Sequence, residues 1–292
     1  MFDFRYHVAS LAAVFLALVV GIVVGVGISG KGIIKDSERQ LLENQIDVLT
    51  AQAQAAEKES STLKEQQKAS QSFADSVYEP LMADRLSRKR VTVLVVGPAG
   101  GRTHKSVDQA LSDGGAIGSL RVLRVPIDPD GVRRALAAKP LLAKTSGKEW
   151  LPDLGQALAQ ELAAGGQTPL WDRLSGQLVS ERQGRLRPAD GIVVLRTARP
   201  QGGATARFLS GFYSGLGSAG IPAVGVETTD AKPSTVAVWD KAGLSSVDDV
   251  ETPVGKLALA VVLAGGPRGL YGVKKTADDV LPPVEPVTTP VG

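Results

Sequence analysis

The residue types that could carry chemistry in this chain are few. It has no cysteine, and its only histidines and methionines are His7, His104, Met1 and Met82. Disulfides, thiolate metal sites, thiol nucleophiles and a lipid-modified N-terminal cysteine are therefore excluded, while the compartment stays open. The most suggestive segment is Gly97-Pro98-Ala99-Gly100-Gly101-Arg102-Thr103-His104. It joins an apolar run to a helical pattern. There the backbone N–H groups of Gly97, Gly100 and Gly101, helped by Arg102, could hold a phosphate. Its spacing is neither GxGxxG nor GxxxxGK[ST], so a tight glycine turn competes as a reading. His104 is isolated, and an isolated histidine is more often a surface side chain than a catalyst. Gly211-Phe212-Tyr213-Ser214-Gly215 lacks the spacing of a nucleophile elbow. Asp248-Asp249 and Asp278-Asp279 read as pairs that cap or flank helices. No Ser–His–Asp or metal-hydrolase set can be assembled, so the domain reads as non-enzymatic and without a cofactor.

The elements that would position that loop form an alternating series. Val91 to Val96 is a continuous β-branched run, as in a strand buried on both faces. Further strands are expected at Ser119 to Val125, half-exposed, at Gly191 to Leu195 and at Pro222 to Val226, with a fifth at Thr235 to Trp239. Helical patterns cover Thr103 to Ser112, Gly131 to Ala138 (capped by Asp130), Leu154 to Ala163, Leu170 to Leu178, Ala204 to Ser218 and Lys256 to Leu263. Gly211 and Gly215, one turn apart, are expected to pack on the sheet. The series predicts a three-layer α/β domain with a mostly parallel sheet over residues 87–280, followed by a Pro-rich disordered tail over 281–292.

Ahead of the domain stand two segments of different character. Val8 to Ile28 is 21 residues without a charge. As a helix it rises roughly 31 Å, the thickness of a bilayer core. A cleavable signal peptide or a buried core helix are the competing readings. The long apolar run, its exit through Gly27-Ile28-Ser29-Gly30-Lys31 and the interfacial Phe4 and Tyr6 favour a single uncleaved anchor over residues 1–30. Ala9, Ala13, Ala17, Gly21 and Gly25 recur every fourth residue, a small-residue stripe of the kind by which lipid-embedded helices associate. Flanking charges do not fix the orientation: Arg5 stands on one side, and Lys31, Lys35 and Arg39 on the other.

Residues 31–86 read as a helical stalk, since Lys35 to Glu79 contains no Gly and no Pro and is rich in helix formers. Leu42, Ile46, Leu49 and Leu63 fall on a heptad seam whose centre is polar, which fits a loose coiled coil and a homodimer. A lone solvated helix or a flexible linker is the alternative. The net charge of +3 is spread among interleaved acids and bases, and aromatics make up 4% of the chain, so neither a nucleic-acid footprint nor a stacking platform is present.

Several stretches together resemble one family. They are Met1-Phe2-Asp3-Phe4-Arg5-Tyr6-His7-Val8-Ala9-Ser10-Leu11, the glycine-rich exit Gly21 to Gly27, the Gln-rich helix after it, and the closing Gly265-Gly266, Tyr271-Gly272-Val273-Lys274 and Ala277-Asp278. The chain is similar throughout to the actinobacterial MctB-type copper transporters. The resemblance implies a place at the cell envelope, with the α/β domain outside the cytoplasmic membrane, and it also admits the outer membrane. It implies copper efflux through a channel, or, as in SteB-like relatives, partnership with a SteA-like protein in controlling peptidoglycan hydrolysis at division. Cu(I) prefers Cys and Met, and Cu(II) imidazole. Met1, Met82, His7 and His104 offer no ligand spacing within one chain. One membrane helix encloses no pore, so transport would require several copies.

Overall fold

The computed structural model describes residues 4–28, 36–137, 147, 149–184 and 187–286, with side chains from residue 10 to 26 and from 39 onward within those ranges. The chain divides into two compact units, Met1–Ala69 and Ser70–Gly292.

The first unit is helical. α1 runs Phe4–Ile28. Its described side chains, residues 10–26, are all exposed, and nothing lies within 4 Å of where a Cβ on Gly21 or Gly25 would stand. The side chain of Ala9 lies outside the described residues. Among the described residues no helix is long and apolar enough to cross a membrane. α2 runs without a break over Asp36–Met82, with Pro80 near its end. Leu42, Ile46, Leu49 and Leu63 are each more than half exposed, and so are Leu41 and Val48, which widens the apolar stripe at its N-terminal end.

The second unit is a mixed α/β fold. Its elements follow the last turns of α2 in the order β1 (Arg90–Val96), α3 (Gly101–Asp113), β2 (Ile117–Leu123), α4 (Pro129–Ala137), α5 (Trp150–Ala164), α6 (Pro169–Leu178), β3 (Val179–Gln183), β4 (Gly191–Arg196), α7 (Gly203–Gly217), β5 (Ala223–Val226), α8 (Val236–Lys241), β6 (Ser245–Val247), α9 (Pro253–Ala264) and β7 (Leu270–Tyr271). The sheet order is β3-β2-β1-β4-β5-β6-β7. Every described pairing is parallel except that of β2 with β3. The period-two alternation of β1 feeds both faces. Leu94 and Val96 point into a core with α4 to α8, while Val93 and Val95 join α3, α9, Met82, Leu86 and Tyr271 on the other face. This is the expected layering around a mostly parallel sheet.

Several elements differ from expectation for identifiable reasons. Thr235 to Trp239 is not a strand. Val236 and Trp239 are buried at helical spacing while Val238 is half exposed, and the segment forms α8. Its indole fills the space over Gly225, where any Cβ would collide with the ring. Gly211 and Gly215 face a helix and not the sheet. Added Cβ atoms would meet Pro152 and Gln156 of α5, and one on Gly155 would meet the α7 backbone, so small residues bring these two helices together. Asp130 does not cap α4 but lies inside it, and Asp128 accepts its N–H at 3.1 Å. At the C-terminal end, Leu281 and Val284 pack against the second core, and Arg85 Nη1 donates to the Glu285 carbonyl at 3.2 Å. Apolar contact thus orders the first residues of the Pro-rich segment.

Candidate functional site

Parallel sheets offer ligand space at the carboxyl ends of their strands, above all where neighbouring connections leave to opposite faces. Here that point lies between β1 and β4, and the chain closes it with its own backbone. Thr197 and Ala198 donate their N–H groups to the Val96 carbonyl at 3.0 and 3.1 Å, and Thr197 Oγ1 donates to the Pro98 carbonyl at 2.7 Å. Gly97, at φ +114°, sits against these residues, and a Cβ would strike both. The glycine is required by a close approach of protein to protein.

The remaining members of the predicted ligand loop diverge. Gly100 and Gly101 border open space at the start of α3, where no side chain caps the helix. Arg102 leans to Asp230 at 3.4 Å in an exposed pair. His104 turns along its own helix, Nε2 3.7 Å from Asp108 Oδ1, with its side chain 14% exposed. Arg102 and His104 therefore do not converge on one ligand position.

A denser polar constellation stands at the carboxyl ends of β5, β6 and β7. Glu227 follows β5, Asp248 and Asp249 follow β6, and Gly272-Val273-Lys274 follow β7. Lys274 Nζ donates to Glu227 Oε1 at 2.5 Å and to the Thr228 carbonyl at 2.9 Å. Ser234 Oγ donates to the same carboxylate at 2.6 Å and the Thr235 N–H at 2.8 Å, so the first turn of α8 is tied to it. Asp248 accepts the N–H groups of Val273 at 2.9 Å and Lys274 at 3.3 Å. Gly272, at φ +133°, leaves room for that carboxylate, which any Cβ there would overlap. Asp249 accepts the Thr252 hydroxyl at 3.0 Å, and Thr252 in turn caps α9 through the Gly255 N–H at 2.9 Å. Asp249 is 1% exposed. Burial pushes its carboxyl up to about 6, against the Thr252 hydrogen bond and with help from the Asp248 and Glu251 charges. Asp230 is held below the usual carboxylate range, first by the Thr228 hydroxyl and then by Arg102.

Chemically this constellation is a clasp. Both Glu227 oxygens already accept, and each Asp248 oxygen holds a backbone donor. Beside it lies a crevice of about 220 Å³ of mixed character, lined by residues that include Thr103, Arg196, Arg199, Glu227, Lys232 and Trp239. No group of three or more His, Asp or Glu residues able to hold a metal ion occurs among the described residues. Met82 is buried at 1% exposure in the apolar core, and His104 lies beside Asp108 with no second potential metal ligand of its own type near it among the described residues. Met1 and His7 lie outside the described side chains. Tyr271 to Lys274 is distinctive in the sequence, but its partners Glu227 and Asp248 lie far from it along the chain and meet it only through the fold. The available signal was a charge placed directly after an apolar strand, as Glu227 is.

The arrangement is that of an α/β domain whose carboxyl edge is locked by its own charges. The chain belongs to the family described as copper transport outer membrane protein, MctB, whose model matches residues 1–282. Copper transporter MctB of Mycobacterium tuberculosis (strain H37Rv) is similar to it, at 28% identity over 317 residues covering 93% of this chain and 96% of the relative. Copper transporter MctB of Mycobacterium bovis matches with the same identity and coverage. No solved structure matches the chain.

Proposed function

We propose that the protein is a single-pass, membrane-anchored component of the cell envelope that acts as a dimeric, non-enzymatic partner-binding module, its α/β domain lying outside the membrane. The observation that carries this reading is the exposed apolar stripe of α2, where Leu42, Ile46, Leu49 and Leu63 are 52–63% exposed on an otherwise polar helix of 47 residues. Such a stripe is stable in water when a second helix covers it.

The anchor is supported by the sequence of α1. Its described side chains account for about 26 Å of rise, short of the roughly 30 Å core of a bilayer. The uncharged run continues through Val8 and Ala9 at one end and Gly27 and Ile28 at the other, which completes the span. Ala13, Ala17, Gly21 and Gly25 supply a face on which two such helices could approach. An envelope partner, SteA-like by the resemblance of the chain to SteB-like proteins, would meet the stalk or the domain.

A second reading, copper efflux, is favoured by the family and by the names of the mycobacterial relatives. In this chain it would operate through an oligomeric pore, with copper as cargo and no ligand set within one subunit. A deletion strain separates the two. Normal copper tolerance with chained or misseparated cells supports the partner-binding module. Copper hypersensitivity with normal separation, restored by the intact chain, supports efflux and removes the first reading.

A further inference from the structure

Away from the clasp, at the opposite edge of the sheet, β2 and β3 place two arginines face to face. Arg121 and Arg182 are directly paired residues of the antiparallel ladder. Directly opposed residues project on the same face, and like charges there are destabilising. Arg121 is 7% exposed. Its guanidinium is held by neutral acceptors only: Nη1 donates to the Leu120 and Gln183 carbonyls at 2.6 and 2.9 Å, and Nη2 to the Gly184 carbonyl at 3.3 Å. Neither arginine has a carboxylate within ion-pair distance among the described residues. Nε–H and the second Nη2 hydrogen of Arg121 have no protein acceptor among the described residues, and a bidentate fork onto an oxyanion uses two such donors. Burial, then the charge of Arg182, lowers the affinity of Arg121 for its proton, with Asp172 opposing.

The two arginines open into a cleft of about 390 Å³ between α6 and the sheet edge, lined also by Thr168, Trp171, Asp172 and Ser175. Its rigid wall is α6, whose first turn is pinned by Glu161 accepting the Leu170 and Trp171 N–H groups at 3.0 and 3.2 Å. A buried cation set opposite a second cation, with free donors toward an open cleft, is the arrangement expected of a site that receives an anion. Asp172 also lines the cleft, so the two arginines leave a net formal charge of +1 there, which suits an oxyanion whose negative charge is turned to the arginine side. We infer that the Arg121–Arg182 cleft is a binding site for a phosphate group, free or carried as a monoester, with Thr168 able to donate a further hydrogen bond.

The test uses the full chain in detergent micelles with ¹⁵N-labelled arginine, titrated with inorganic phosphate at constant ionic strength. The expected result is a saturable shift of the Arg121 Nε resonance at millimolar phosphate. Arg182→Gln, at an exposed position that leaves the fold intact, should weaken binding about tenfold, the loss of one charged hydrogen bond. Arg207→Gln, on the exposed side of α7, should leave it unchanged. Glucose 1-phosphate binding more tightly than phosphate would point to a monoester, and equal binding to the free anion. Absence of a saturable shift, equal affinity in Arg182→Gln, or acetate binding as tightly as phosphate would each overturn the assignment.

Discussion

Lys274 closes on Glu227 across the carboxyl ends of β7 and β5, Nζ to Oε1 at 2.5 Å, with the glutamate side chain 6% exposed. One carboxylate thereby joins the turn after β7, the segment before α8 and the end of β5. Removing one partner of a buried pair strands the other's charge, a loss of about 3–5 kcal/mol. Glu227 keeps its Ser234 and Thr235 donors, which places Lys274→Met near the lower figure. The double variant Lys274→Met, Glu227→Gln is expected to lose less than the sum of its singles in urea unfolding. A Lys274→Met protein as stable as the parent would show that the clasp contributes nothing to stability.

Asp249 makes stability depend on pH. Its carboxyl is raised to about 6 in the folded chain, against about 3.9 for an unperturbed aspartate. Between those values the native state holds a proton that the unfolded chain has lost, so stability falls as pH rises from about 4 to about 6 and is level above. The full loss is up to about 3 kcal/mol. Asp249→Asn retains an oxygen for the Thr252 hydroxyl and has no charge to desolvate. The variant is expected to be the more stable protein at pH 7 and to lose that advantage at pH 4. Parallel pH–stability curves for the two proteins would sink the assignment.

Met82 marks where α2 joins the core of the α/β unit. It is 1% exposed, whereas Leu63 on the same helix is 56% exposed. Near it Tyr78 donates to Asp113 at 2.7 Å, and Lys256 Nζ, bonded to Gln109 at 2.6 Å, lies 5.8 Å from the Tyr78 ring centroid. Met82→Ala should cost about 2–5 kcal/mol of domain stability. Leu63→Ala should leave thermal unfolding of the domain in place and act only on self-association, as read by sedimentation.

For the proposed anchor, Gly21→Leu with Gly25→Leu should reduce crosslinking between copies in membranes by blocking close approach of two helices. If crosslinking is unchanged, the small-residue stripe of α1 does not bring copies together.

The sequence made the central fold legible where burial is two-sided. Val91 to Val96 reads as a strand because both its faces are apolar, and α9 reads as a buried helix for the same reason. β3 carries no pattern in the sequence, since Ser180 to Gln183 are exposed and polar and are held in the sheet by hydrogen bonds, not by apolar burial. β6 and β7 are three and two residues long, below what periodicity can register. α8 was misread because Val236 and Val238 mimic strand alternation. The glycine loop was visible, but its true neighbours Thr197 and Ala198 lie far along the chain and give no local signal. Glu227 and Lys274 were hidden in the same way, as a contact formed only by the topology.

The two edges of the sheet bear on how copies of this protein can meet. At one end β3 presents Ser180, Glu181, Arg182 and Gln183 outward, and at the other β7 offers two residues. A charged edge and a very short one are poor templates for another chain's strand. The fold therefore resists growth by strand addition, even at high local concentration. Any self-association then falls to surfaces other than the sheet edges, of which the exposed apolar stripe of α2 is one.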